Sequence, residues 1–227
     1  IRDYDGGTPN RYTITGTWPN YIASAPDRAC NFVSWNDDSA YLDWAGLRFM
    51  TELEFEKACR GPATPVNNEY AWGNPNVSGT YVLSNDGQPN ETVANPGSEP
   101  TGNALYNGNS SIISGPVRCG MFAASKANPS RGEAGATYWG IMEMCGNLWE
   151  PVVKLRGSGK PYTGNHGNGT LTAAGDDDVA NWPAGGGRRG GSWTYDGNRL
   201  RMTDREQEAT NPGQGNDSGC RGVRSAP

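Results

Sequence analysis

The chain has 227 residues, a formal net charge of −5 at pH 7, 34% hydrophobic residues, 33 glycines and 16 prolines. Its arginines alternate with Asp and Glu, which excludes the clustered basic footprint of a nucleic-acid binder, and no run of about 18 apolar residues exists to span a membrane. Eight Trp and ten Tyr put core volume into a few large side chains, while Gly and Pro demand irregular backbone, so one loop-rich domain over 1–227 is expected.

Residues 1 to 33 carry turn dipeptides such as Asp5-Gly6 and Trp18-Pro19, and an alternating run, Arg11 to Thr15, that suits a strand. Ser34-x-x-Asp37 has capping-box form, and Ala40, Tyr41, Trp44 and Leu47 follow at helical spacing, which predicts a helix over about 35–45. Thr51-x-x-Glu54 repeats the device and predicts a second helix over about 52–60, with Leu53, Ala58 and either Phe55 or Cys59 on its inward face. From Gly61 to Thr137 helical periodicity vanishes, apart from a possible short turn around 120–126. Asn85-Asp86-Gly87 and Asn103 read as turn residues.

The segment Tyr138 to Glu150 is a second anchor, followed by Pro151, whose missing N–H argues against an interior ladder position. Residues 154 to 188 form a Gly/Asn/Asp-rich region in which His166 and the acidic run Asp176-Asp177-Asp178 read as turns. The tail opens with Arg189-Gly190-Gly191-Ser192-Trp193 and closes with Gly219-Cys220-Arg221-Gly222-Val223-Arg224. It is expected to supply central strands, with Arg201, Arg205 and Arg221 at least partly buried and paired with carboxylates or carbonyls, and Tyr195, Asp196 and Asn198 exposed. The five cysteines are widely spaced without a CxxC pair and read as small buried thiols.

In order, Trp44-Ala45-Gly46-Leu47-Arg48, Thr51 to Ala58, Trp72-Gly73-Asn74, Gly146-Asn147-Leu148-Trp149-Glu150 and the tail motifs resemble the formylglycine-generating-enzyme, or sulfatase-modifying-factor, domain family. The resemblance covers roughly residues 29 to 227 and implies an α+β, C-type-lectin-like fold with two short helices, a small twisted antiparallel sheet and high loop content. Part of the family's N-terminal segment has no evident counterpart. The resemblance also implies a structural calcium ion on the carbonyls of Cys145, Gly146 and Leu148 and the carboxylate of Glu150; a structural ion pair of Glu150 with a tail arginine is the competing reading.

The family's oxidase binds copper through two cysteines after the Gly-Gly-Ser motif, and residues 192 to 219 contain none. No copper is therefore expected, and the chain is expected to be a non-enzyme. Its function is expected to be that of a ligand-binding or self-assembling module outside the cell or on its surface, taking a protein or glycan ligand or copies of itself. A structural subunit of an extracellular assembly and a copper-dependent oxidase remain as alternatives. The expected binding surface comprises Trp193, Thr194, Tyr195, Asp196, Asn198, Arg199, Glu206 and Gln207, the region that varies in diversity-generating retroelement proteins of this fold.

Overall fold

A computed structural model describes residues 14–17, 20–23, 26–79, 81–107, 113, 115–155, 157–159, 161–208 and 211–226. The strand expected over Arg11 to Thr15 lies largely outside these residues. Its described end belongs to β1 (Ile14–Thr17), which pairs antiparallel with β2 (Asn20–Ala23).

Both capping boxes form. The Ser34 hydroxyl accepts from the Asp37 amide at 3.3 Å while the Ser34 amide donates to Asp37 Oδ2 at 2.8 Å, opening α1 (Trp35–Trp44). Thr51 and Glu54 repeat the exchange at 3.2 and 2.9 Å to open α2 (Glu52–Arg60). These four groups satisfy amides that every helix start leaves without an intrahelical partner. A four-residue α3 (Met121–Ala124) occupies the turn expected near 120.

The inward faces differ from the apolar spacing. Tyr41 and Trp44 are exposed, and α1 instead buries Trp35 and Leu42 together with Asp38, Ser39 and Asp43. Asp43 can be buried because its carboxylate accepts from the amides of Asn168 at 2.7 Å and Asp178 at 3.1 Å, groups no local pattern reveals. On α2 the buried side chains are Glu52, Phe55 and Cys59, and Leu53 faces solvent.

The main sheet has four strands in the order β7-β6-β3-β8, with β3 (Arg48–Thr51), β6 (Glu150–Val153), β7 (Gly187–Arg189) and β8 (Gly222–Val223). The sheet is mixed, not antiparallel throughout: β3 and β6 run parallel, as a long crossover of about a hundred residues permits. The tail supplies the two edges, β7 and β8, and the central strands are β3 and β6. Pro151 does sit in the interior strand β6, opposite Arg188. It is tolerated because pairing with β3 begins one residue later, at Val152 opposite Met50. A separate hairpin joins β4 (Leu83–Ser84) to β5 (Thr92–Val93).

Three apolar clusters fill the interior. One lies between α2 and the tail around Met50, Phe55, Trp72 and Met202, a second under the long loop around Tyr81, Leu105 and Phe122, and a third holds Trp35 stacked on Phe49 at 4.0 Å. The irregular stretch after Gly61 is fastened by buried polar side chains. Asn103, 1% exposed, accepts from Tyr81 and Gly97 and donates to the carbonyls of Gly97 and Glu133. The buried pair Arg28 and Glu91 ties the N-terminal region to the same loop.

Candidate functional site

Strand β7 ends in two arginines whose side chains leave opposite faces, as alternation along a strand requires. Arg189 turns inward and is 1% exposed, donating to Glu52 at 3.4 Å, Glu56 at 2.9 Å and the Met202 carbonyl at 2.6 Å. Arg188 turns toward the tail loop. Its guanidinium lies 5.0 Å from the Trp149 ring and 5.7 Å from the Tyr195 ring, and these two rings meet edge to face at 5.1 Å. Arg188 Nη2 donates to the Tyr195 hydroxyl at 3.3 Å and to Gln207 Oε1 at 3.4 Å.

Two donors at this point lack an acceptor among the described residues. Trp149 Nε1 and Arg188 Nε are buried and unpartnered, and a buried donor without a partner costs about 1–3 kcal/mol. Next to them Asp217 takes hydrogen bonds from Ser192 Oγ at 3.2 Å and Thr194 Oγ1 at 2.8 Å, and its carbonyl accepts the Trp149 amide at 2.9 Å. The cluster therefore offers a half-buried cation beside the half-buried Tyr195 ring, with Trp149, 1% exposed, packed against both: its accessible side suits an acceptor-bearing, partly planar ligand. It holds no serine–histidine relay, because His166 Nε2 instead accepts the Ser225 amide at 3.0 Å.

Of the residues expected on the binding surface, Tyr195 and Gln207 meet through Arg188, which the sequence reading missed. Tyr195 is half-buried and not fully exposed, because its ring is packed between Trp149 and Arg188. Thr194 joins through Asp217. Trp193 turns away, packing against the Tyr81 cluster with its Nε1 on the Asn216 carbonyl. Asp196 caps a 3-10 turn (Gly197–Leu200) by accepting the Asn198 amide at 2.7 Å, and both residues are exposed. Arg199 pairs with Asp204 at 3.2 Å and with Glu206, away from Arg188.

Among the arginines expected to be at least partly buried and paired, Arg221 meets Glu150 at 3.0 Å, and Arg205, its side chain 40% exposed, reaches Glu52 and Glu56. Arg189 is the more deeply buried partner of the same carboxylates, because it leaves a strand facing the core and Arg205 leaves a turn. Cys59 and Cys145 are buried thiols, as expected, but Cys30 and Cys119 are exposed because they lie on irregular segments at the surface. Cys220 is half-buried against the Trp35 cluster. These placements do not fit a two-thiolate copper site in the tail loop.

Of the expected calcium ligands, Glu150 lies in a buried acidic region with Glu143. Glu150 Oε1 accepts from Arg221, while Glu150 Oε2 is buried without a partner. The carbonyls of Cys145, Gly146 and Leu148 accept no hydrogen bond among the described residues. Burial pushes Glu150 up to about 7 against the pull of Arg221, and Glu143 likewise to about 7. A free carboxylate oxygen and unpaired carbonyls are the donor set a hard cation takes. No group of three His, Cys, Asp or Glu residues forms a metal cage among the described residues, so a calcium ion here would depend on the carbonyls.

Residues 13–226 match the family model described as the sulfatase-modifying factor enzyme 1-like domain. The hercynine oxygenase of Mycolicibacterium thermoresistibile is 29% identical over 194 residues, covering 79% of this chain and 32% of the relative. The formylglycine-generating enzyme of Bos taurus is 36% identical over 98 residues, covering 38% of this chain and 26% of the relative. The protein named inactive C-alpha-formylglycine-generating enzyme 2 of Bos taurus is 32% identical over 118 residues, 52% of this chain and 30% of the relative. The chain thus spans about a third or less of the length of these relatives.

The first two names correct the expectation of a non-enzyme. They denote enzymes, and enzymes named for two different activities, so the absence of one activity's thiol pair does not remove the chain from a catalytic family. With the ordered motifs, the mixed α/β fold and a match that runs almost end to end, the chain belongs to the sulfatase-modifying factor enzyme 1-like domain family.

Proposed function

We propose that the chain is a ligand-recognition domain of a formylglycine-generating-enzyme-like protein, holding a carboxylate- or carbonyl-bearing segment of a protein ligand against Trp149, Arg188 and Tyr195. The observation that carries this reading is the pair of buried donors, Trp149 Nε1 and Arg188 Nε, left without acceptors beside a stacked guanidinium. An acceptor brought to Arg188 would remove part of that desolvation cost on binding, and the half-buried Tyr195 ring would cover the flat part of the same group, while Trp149, 1% exposed, backs the guanidinium and not the ligand. Thr194, Gln207 and Asp217 supply polar contacts at its edge.

Peptide display on the immobilised chain tests this. Selected peptides should carry Asp, Glu or a free C-terminus, and their binding should fall about tenfold or more in Arg188→Leu, since a hydrogen bond to a charged group is worth that factor. Arg199→Leu, on the separate Asp204–Glu206 cluster, should leave it within about twofold. Peptides that bind Arg188→Leu as well as wild type would refute the assignment.

A structural calcium ion on Glu150 and the carbonyls of Cys145, Gly146 and Leu148 belongs to the same proposal. When bound it would neutralise a region that now holds two buried carboxylates and one arginine. An extracellular or cell-surface setting suits such a site, because extracellular modules bind calcium at about 10⁻⁴–10⁻³ M.

A further inference from the structure

The segment after α3 closes a cleft of about 370 Å³ whose wall carries Arg131. The guanidinium is held by backbone alone: Nη2 donates to the carbonyls of Ala71 at 2.5 Å and Cys59 at 3.1 Å, and Nε to that of Ala136 at 3.4 Å. Nη1 has no acceptor, and no carboxylate lies within ion-pair distance of Arg131, among the described residues. Nearby acids are engaged elsewhere. Glu69 is taken by Arg60 at 2.6 Å, Glu133 by Lys126 at 2.5 Å, and Glu99 accepts from Ser130 Oγ at 2.5 Å.

A second donor stands in the same wall. The Thr137 hydroxyl, on a residue 2% exposed, accepts from the amides of Trp139 at 3.2 Å and Ile141 at 3.1 Å. Both its lone pairs are then used, and its proton has no acceptor among the described residues. The other walls include Ala123, Ala134 and Met142, and Tyr138 lies 5.8 Å from the Arg131 guanidinium carbon. Tyr138 is 46% exposed and meets Trp139, 59% exposed, edge to face at 4.9 Å.

We propose that this cleft binds a small carboxylic acid with an apolar body, aryl or branched alkyl. The carboxylate takes Arg131 Nη1 and the Thr137 hydroxyl, and the body lies against Ala123, Ala134, Met142 and the Tyr138 ring. Fixing the guanidinium on three carbonyls pre-pays the ordering that a flexible arginine would lose on binding. The volume matches the lower end of small-ligand sites, which are mostly apolar with few placed polar groups. None of these residues belongs to the Trp149–Arg188–Tyr195 cluster, so the two sites stand or fall separately.

Sodium benzoate, benzyl alcohol and benzylamine are the probes, followed by tryptophan fluorescence and by the methyl resonance of Met142. Benzoate should give a saturable change in both signals, with benzyl alcohol at least about tenfold weaker because it forgoes the charge-assisted bond. Ala134→Leu fills the cleft without removing any bond of Arg131 and should weaken benzoate about tenfold or more while the melting curve stays close to wild type. Arg131→Gln should weaken benzoate about tenfold or more; should it fail to fold, Ala134→Leu decides by itself. No saturable response to benzoate, equal affinity for benzyl alcohol, tighter binding of benzylamine, or undiminished binding by a folded Ala134→Leu overturns the proposal.

Discussion

Arg189 and Glu52 lie 137 positions apart and meet in the interior, the guanidinium 1% and the carboxylate 5% exposed. Glu52 opens α2 and Arg189 ends β7, so this pair, shared with Glu56 and the Met202 carbonyl, locks helix, sheet edge and tail together.

Arg189→Ala should therefore cost about 3–5 kcal/mol, because it leaves the buried Glu52 to the solvent-facing Arg205 and the Met202 carbonyl without its donor. Arg205→Ala removes a side chain that is 40% exposed from the same carboxylates and should cost no more than about 1 kcal/mol. Urea denaturation of the two variants checks the order, and a larger loss for Arg205→Ala would show that the solvent-facing arginine holds the tail.

Asp38 gives a pH signature. It is 1% exposed, both carboxylate oxygens lack hydrogen-bond partners, and burial raises it from 3.8 to about 8, with the Cys220 thiol offsetting part of the effect. The folded chain keeps this proton while the unfolded chain releases it, so the stability it contributes is complete below about pH 4 and is lost as pH rises through about 8. The slope is at most about 1.4 kcal/mol per pH unit. Asp38→Asn keeps the neutral shape and should flatten that part of the curve, melting several degrees above wild type at pH 9 and close to it at pH 4. Parallel melting curves for the two proteins across this range would show that Asp38 ionises normally in the fold.

The elements that the sequence made legible are those written in adjacent residues. Ser34 with Asp37 and Thr51 with Glu54 mark both longer helices, since each cap and its partner lie three positions apart. The face of α1 was not legible, because burying Asp43 depends on amides of Asn168 and Asp178, more than a hundred positions away. Arg188 was hidden for the same reason: Trp149, Tyr195 and Gln207 reach it from three separate segments. The signal that could have found it is alternation. If one of two consecutive strand arginines enters the core, the other must face the opposite side.

Calcium dependence follows from Glu150. A ligand bound only by the folded state stabilises by about 2.7 kcal/mol at a hundredfold excess over its dissociation constant, enough for several degrees in melting temperature. With added calcium the wild type should melt higher than in a chelator, and Glu150→Gln should melt alike in both. If the wild-type curve does not move, Glu150 serves Arg221 alone.

Two glycines separate backbone strain from crowding. Gly190 has φ +87° and Gly140 φ +81°, a region that costs a residue with a Cβ about 1 kcal/mol or more. Around Gly140 an added Cβ meets nothing within 4 Å, so Gly140→Ala should show little beyond the backbone cost. At Gly190 the same atom would stand 2.6 Å from Glu150 Oε2 and 2.8 Å from the Met144 carbonyl oxygen. The carboxylate is buried and the carbonyl belongs to a backbone fixed on the next turn by the Gly146 amide, which donates to Gly190 itself at 2.8 Å. Neither can retreat without uncoupling the Trp149–Glu150 segment from the tail. Gly190→Ala should accordingly lose at least about 2 kcal/mol more than Gly140→Ala in urea denaturation, in the range of overpacking a rigid core. Equal losses would mean that the close approach of the tail to Glu150 is not what holds this segment in place.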